Sequence, residues 1–195
     1  MYELKDRDKI IVYTGPDGSG RKSVAEAVGQ TFGMAKVISF VTRAPRPGDV
    51  DGQDYHFISH ELYKQMERQE EFLESVEIDG DYYGIRGLDV ELGLNKYGCI
   101  YTVLNRDGAD ILKNMYGDKV IRFFIYADRR TVEERERKQG LDESIIQKHL
   151  SHYDHDMDYR SSCEHAVENF DLGQATYEIS NTLENYLQRG LIDKD

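Results

Sequence analysis

Residues 10 to 23, Ile-Ile-Val-Tyr-Thr-Gly-Pro-Asp-Gly-Ser-Gly-Arg-Lys-Ser, constrain the fold more than any other stretch of the chain. The apolar run Ile10 to Val12 begins a buried strand that extends to Thr14, and Lys22 to Thr31 reads as a helix with Ala25, Val28 and Phe32 on one face. Between them stand Gly15, Gly18 and Gly20. A strand, a glycine turn and a helix N-terminus in this order point backbone N–H groups inward around an anion, and the helix dipole favours negative charge there. The stretch therefore predicts a phosphate-binding loop. Its usual spelling is Gly-x-x-x-x-Gly-Lys-[Ser/Thr]. Gly15 and Gly20 fit, but Arg21 stands in the lysine position, Lys22 in the hydroxyl position, and Ser23 comes one place late. Arg21 keeps the charge and can chelate phosphate, although its planar head cannot occupy the point an ammonium would. Lys22 cannot ligate a metal ion as a hydroxyl does. A helix starting one residue later would return Lys22 and Ser23 to the usual roles.

Beyond the loop, apolar runs alternate with helical periodicity. Val37 to Thr42, Cys99 to Leu104, Val120 to Tyr126 and His165 to Asn169 read as strands. Leu88 to Leu94, Asp107 to Tyr116, Arg129 to Gln139, Asp142 to Tyr159 and Gln174 to Leu187 read as helices, with Asp142 as an N-cap. This alternation predicts an α/β fold with a parallel sheet, and a ligand site outside the carboxyl ends of the strands, where the glycine loop falls. The middle of the chain departs from the pattern. RAPRPGDVDGQD, residues 43 to 54, is an extended loop; Asp54 to Ile58 is a short strand and His60 to Gln69 a helix. Phe72 to Ile78 and Tyr82 to Ile85 flank Asp79-Gly80-Asp81 as a β-hairpin. The chain reads as one domain, 1–195, with an insertion at 38–87 that carries its own small mixed sheet.

That insertion holds the second and third constellations. Arg43 and Arg46, in a loop stiffened by Pro45 and Pro47, form a preorganised oxyanion clamp to which Tyr55 adds a hydroxyl. On the hairpin, alternation places Glu74 and a tyrosine on one face. A buried carboxylate there accepts hydrogen bonds from a ring N–H and an exocyclic amine.

Charge and composition narrow the partners. A net charge of −12 argues against a general nucleic-acid binder and against an anionic membrane surface. No apolar run is long enough to span a bilayer, and Cys99 and Cys163 are far apart and lack metal-ligand spacing. A soluble cytoplasmic protein with reduced thiols is expected. His152, His155 and Asp156 share a helical face, but no second cluster completes a metal site, so they read as surface residues, as does the acidic run Asp154, Asp156 and Asp158. Nothing in the residues fixes an oligomeric state.

Taken together, TRAPRPGDVDGQDYHF followed by FLESVEIDGDYYG resembles the nucleotide-binding insertion of the guanylate kinase family, and the likeness covers most of the chain. The resemblance implies a P-loop kinase-type parallel sheet flanked by helices, with a core of 1–37, 88–127 and 151–195, a mixed-β GMP-binding insertion at 38–87 and a helical lid at 128–150. It implies transfer of phosphate from ATP to GMP with Mg²⁺, and no tightly bound metal held by protein ligands. Arg43, Arg46, Tyr55 and Tyr83 would hold the GMP phosphate, and Glu74 and Ser39 would read guanine. Gly15, Gly18, Gly20 and Ser23 would cradle ATP phosphates, with Arg21, Lys22 and Arg135 as the catalytic cations; Arg137 is a further candidate. Departures from the family pattern gather on the donor side. Ile85 replaces a Ser or Thr beside the base, Val103 and Asn105 replace aspartates, Gln139-Gly140 and His149-Leu150 stand where lid arginines are usual, and Phe170 follows Asn169. Two readings follow: an enzyme, or an inactive guanylate-kinase-like module that binds GMP, a related nucleotide or a phosphorylated protein segment.

Overall fold

The computed structural model describes residues 3–187; the outer ends of the expected core, 1–2 and 188–195, lie outside them. Five parallel strands form the central sheet: β1 (Lys9–Thr14), β2 (Ala35–Lys36), β7 (Cys99–Val103), β8 (Val120–Tyr126) and β9 (His165–Glu168), in the order β2-β7-β1-β8-β9. The apolar run of β1 has a simple cause, since the strand is central and covered on both faces. Ile11 and Tyr13 pack with Val24, Ala25 and Val28 of α1 (Arg21–Phe32) and with Ile179 and Leu183 of α7 (Leu172–Leu187). Ile10 and Val12 pack on the other face with Leu94 of α3 (Gly87–Tyr97) and Leu112 of α4 (Arg106–Tyr116).

A second, four-stranded sheet is built from the insertion: β3 (Phe40–Val41), β4 (His56–Phe57), β5 (Phe72–Ile78) and β6 (Asp81–Arg86), in the order β4-β3-β6-β5. β3 and β4 pair in parallel and the other pairs are antiparallel, so this sheet is mixed as expected. Asp79-Gly80 makes the hairpin turn between β5 and β6. Helix α2 (His60–Arg68) covers the sheet through Tyr63 and Met66, which pack on Phe40.

One expected strand is corrected. Val37 to Thr42 is not a continuous strand but the crossing between the two sheets. Ala35 and Lys36 pair with β7 and the Val37 N–H still donates to the Tyr101 carbonyl, whereas the Ser39 carbonyl already accepts from His56 and Phe40 pairs with β6. An apolar run serves equally well for one buried strand or for two short ones in different sheets.

Helices α5 (Arg129–Lys138) and α6 (Glu143–Asp158) form a pair beside the glycine loop, held by Val132, Ile146, Leu150 and Tyr153. Asp142 stands at the N-cap of α6, but its side chain makes no capping bond; Asp128 does cap α5, accepting from Thr131. Cys99 is buried and Cys163 half-buried, both as thiols. No helix among the described residues is long and apolar enough to cross a membrane.

Candidate active site

The glycine loop leaves the carboxyl end of β1, at the centre of the sheet. Two of its glycines are required by contact as well as by backbone conformation. Gly15 has φ 134° and a side chain there would run into the Ile125 carbonyl oxygen; Gly20 has φ 83° and a side chain there would meet the Asn169 amide nitrogen. Gly20 caps α1, which begins at Arg21. The helix start is therefore not displaced, and the register that would give Lys22 and Ser23 the usual roles is excluded.

Arg21 folds back over its own loop. Its guanidinium donates to the Gly15 carbonyl and to Asp17, the latter at 2.8 Å. Burial acts to raise the Asp17 carboxyl, but Arg21, His149, Arg46 and Arg43 outweigh it and bring it down to about 2. Lys22 turns the other way. Its Nζ lies 3.2 Å from Asp54, 3.4 Å from Asp49 and 4.4 Å from the centre of the Tyr55 ring. Ser23 is exposed within the same first turn of the helix.

The arginine pair of the insertion is organised by Asp49. That carboxylate accepts from the Arg43 guanidinium at 2.8 Å and from the Arg46 backbone N–H at 2.9 Å. The Arg43 guanidinium also lies 4.9 Å from the Tyr55 ring centre. Arg46 has no carboxylate within ion-pair distance among the described residues. Tyr55 and Tyr83 meet edge to face, and burial pushes the Tyr83 phenol up to about 12 against the lowering influence of Arg43.

Glu74 is buried, 3% exposed, and its Oε2 has no hydrogen-bond partner among the described residues. Burial raises its carboxyl to about 8, against a lowering contribution from the Ile85 N–H. Ile85 itself is fully buried in the core beside it, so this position adds apolar surface to the carboxylate's surroundings and no donor from its side chain. Glycine at 108 is what makes room: a side chain there would collide with Glu74 Oε1.

Arg135 reaches in from α5. It donates to the Asn169 carbonyl at 2.8 Å and the Ser19 carbonyl at 3.3 Å, and the Asn169 amide also donates to Ser19. Arg137, by contrast, is half-exposed and pairs with Glu133 and Glu143 on the outer face. Val103 ends β7 on the cavity wall, and Asn105 caps α4 by accepting from the Gly108 N–H. His152, His155 and Asp156 are not simple surface residues, because all three line the cavity that holds Glu74; among the described residues no group of three or more His, Cys, Asp or Glu is arranged to hold a metal.

Two cavities result. One, of about 450 Å³, contains Ser39, Glu74 and Tyr83; the other, of about 420 Å³, contains Gly18, Gly20, Lys22, Ser23, Arg135 and Asn169. Asp17, Arg21, Arg43, Arg46, Tyr55 and His149 line both and form the seam between them. Sequence reasoning missed Asp17, Glu136 and the placement of His149. Asp17 had a signal, since it lies four residues before Arg21 with the opposite charge; Glu136 lies in a charged helix whose inward face only the packing of α6 reveals.

The family model described as Guanylate kinase matches residues 7–186. A guanylate kinase of Clostridium perfringens is 31% identical over 181 residues, 91% of this chain and 83% of that protein. One from Fusobacterium nucleatum is 29% identical over 177 residues, 90% of this chain and 96% of that protein. Among solved structures, the crystal structure of guanylate kinase from Anaplasma phagocytophilum superposes with a TM-score of 0.77 at 23% identity, covering 97% of this chain and 91% of that one, a likeness of fold.

Proposed function

The chain belongs to the guanylate kinase family, and from that premise we propose that it catalyses ATP-dependent phosphorylation of GMP to GDP across the two joined cavities. The observation that carries this reading is the seam, where the arginine clamp of the insertion and the glycine loop share one set of walls. GMP occupies the cavity of Glu74, with its base toward Glu74 and Ser39 and its phosphate toward Arg43, Arg46, Tyr55 and Tyr83. The ATP phosphates occupy the loop of Gly15, Gly18 and Gly20, with Arg135 on the donor side. The guanidinium of Arg21 has five N–H donors; those not spent on Gly15 and Asp17 are available to the phosphates. An oxygen of the GMP phosphate bonds to the γ-phosphorus of ATP as the bond to the β–γ bridging oxygen breaks, and ADP leaves with that electron pair. Such a transfer depends mainly on positioning and on stabilising spread negative charge.

The family uses Mg²⁺. Among the described residues no protein-held site for it is formed, because Lys22 brings an ammonium to the hydroxyl position and Val103 and Asn105 offer no carboxylate. The cation is therefore assigned to the ATP substrate and not to the chain. Arg21, Arg46 and Arg135 still bring positive charge to the two cavities, which supports turnover over a binding-only module.

A coupled assay of ADP release with ATP, Mg²⁺ and GMP tests the reading. ADP is expected only when GMP is present, and Arg43→Ala is expected to raise KM for GMP about 10- to 100-fold, as for loss of a charge-assisted contact. GMP binding by calorimetry without ADP release above a no-protein control would refute it.

A further inference from the structure

Lys22 is the second residue of α1, where the usual loop spelling has a hydroxyl, and its ammonium leaves the glycine loop for the insertion. It lies between two carboxylates of the loop of residues 43 to 54, 3.2 Å from Asp54 Oδ1 and 3.4 Å from Asp49 Oδ1. The two oxygens of Asp49 have separate partners. Oδ2 accepts from the Arg43 guanidinium at 2.8 Å and from the Arg46 N–H at 2.9 Å, while Oδ1 faces Lys22. The side chains of Arg43 and Asp49 are 9% and 10% exposed, so this pair is shielded from water. Burial acts to raise the Asp49 carboxyl, but the Arg46 N–H, Arg43 and Lys22 outweigh it and hold it below its ordinary value. Lys22 and Arg43 also meet on one ring, 4.4 Å and 4.9 Å from the centre of Tyr55. A second strap reaches the same loop without touching Asp49: Lys36 donates to Glu26 of α1 at 2.8 Å and to the Gln53 carbonyl at 2.7 Å.

We propose that Lys22 is a positioning residue for the acceptor phosphate: from the helix of the glycine loop it pins Asp49, and through Asp49 it presets the Arg43–Arg46 clamp before GMP arrives. The proposal rests on the reading of that clamp as the GMP phosphate site. Without the ammonium, Asp49 and Asp54 are left as like charges on one side of the loop, and their repulsion shifts the carboxylate that aligns both arginines. A clamp already held in its binding geometry loses less freedom when the ligand enters, so the loss of Lys22 appears as weaker GMP binding. Lys36 still ties the loop to α1, so that loss should disturb alignment more than folding. A residue that the loop spelling puts beside the donor phosphates thus acts on the other substrate. Restoring the usual serine at position 22 should therefore weaken GMP binding, not improve it.

The test is calorimetry on the full chain at one pH, with GMP and, separately, with a non-hydrolysable ATP analogue and Mg²⁺, for wild type, Lys22→Met, Lys22→Ser, Lys22→Arg and Lys36→Met. Lys22→Met and Lys22→Ser should each weaken GMP binding about 5- to 20-fold and change affinity for the ATP analogue less than about threefold. Lys22→Arg keeps a charge that can bridge both carboxylates and should stay within about threefold of wild type for GMP. Lys36→Met removes the strap that does not touch Asp49 and should also stay within about threefold. In an Asp49→Asn background, Lys22→Met should cost less than about threefold, because the carboxylate it acts through is gone. GMP affinity unmoved in Lys22→Met, a loss confined to the ATP analogue, or full additivity with Asp49→Asn overturns the proposal and leaves the kinase reading intact. So does a Lys36→Met as damaging as Lys22→Met, or a Lys22→Arg that binds GMP no more tightly than Lys22→Met. A wild type that binds no GMP overturns both. Thermal melting identifies a Lys22→Met that fails to fold, in which case Lys22→Ser decides in its place.

Discussion

GMP binding by this chain should strengthen as pH rises from 7 to 8.5, and Glu74 is the reason. The carboxyl sits at about 8 because burial outweighs its one lowering contact, the Ile85 N–H. A guanine edge offers two N–H donors and needs an ionised acceptor. With a value of about 8, roughly 9% of the empty sites are ionised at pH 7 and roughly 75% at pH 8.5, so apparent affinity should rise about eightfold over that interval, the competent fraction setting the apparent Kd. Binding at pH 7 should release close to one proton per GMP. Calorimetry in buffers of different ionisation enthalpy reads both quantities. Glu74→Gln should abolish the pH dependence and weaken binding at pH 8.5 by about 10- to 100-fold. The same carboxyl has a stability signature of definite sign. Its folded value lies above its ordinary 4.5, so its contribution is fully present below about 4.5 and is lost as pH rises through about 8, by roughly 4–5 kcal/mol at the upper limit. Glu74→Gln should therefore melt higher than wild type at pH 9 and close to it at pH 4.5. A wild-type Kd that is flat from pH 7 to 8.5, with no proton released, would refute the reasoning.

Two further outcomes follow from the scaffold. Gly15→Ala should lose at least about 2 kcal/mol in urea unfolding, through the positive φ and the collision with the Ile125 carbonyl, and a wild-type midpoint would contradict that geometry. Glu164 is held at about 2, where hydrogen bonds from Arg122 and Lys113 overcome the raising effect of burial; its stabilisation is present above about pH 4.5 and lost as pH falls toward 2, so Glu164→Gln should cost about 1–3 kcal/mol at pH 7, with the gap to wild type closing in acid unfolding below pH 4.

The parts of the fold that were legible in the sequence are those with one physical cause each. β1 and α1 follow from an apolar run, glycines and a single apolar helix face. The β5–β6 hairpin follows from Asp79-Gly80 between alternating residues. The break at Val37 to Phe40 was not legible, because choosing between two sheets depends on partners distant in the chain. The candidate site divides the same way. The glycines and the Arg43–Arg46 pair carry local signatures, whereas the joining of Asp17, Glu136 and His149 requires α6 to pack on α5 and both to reach the loop.

The exchange at positions 21 and 22 has a geometric consequence that spelling alone conceals. Successive residues of a helix point about 100° apart, so moving lysine one position along α1 does not move its charge slightly; it moves it to another face. Arg21, at the first helical position, stays over the loop and is drawn onto Asp17. Lys22 instead reaches Asp49 and Asp54 in the insertion. Asp49 is the group that orients Arg43 and accepts from the Arg46 backbone. The lysine of this loop thus turns toward the Arg43–Arg46 pair, and the positive charge lining the cavity of Gly18 and Gly20 comes also from Arg21 and Arg135. A departure that reads in the sequence as a damaged donor loop is, in three dimensions, a redistribution of cations around the seam, and it ties the glycine loop to the insertion through Lys22 on one side and to the α5–α6 pair through Asp17 on the other.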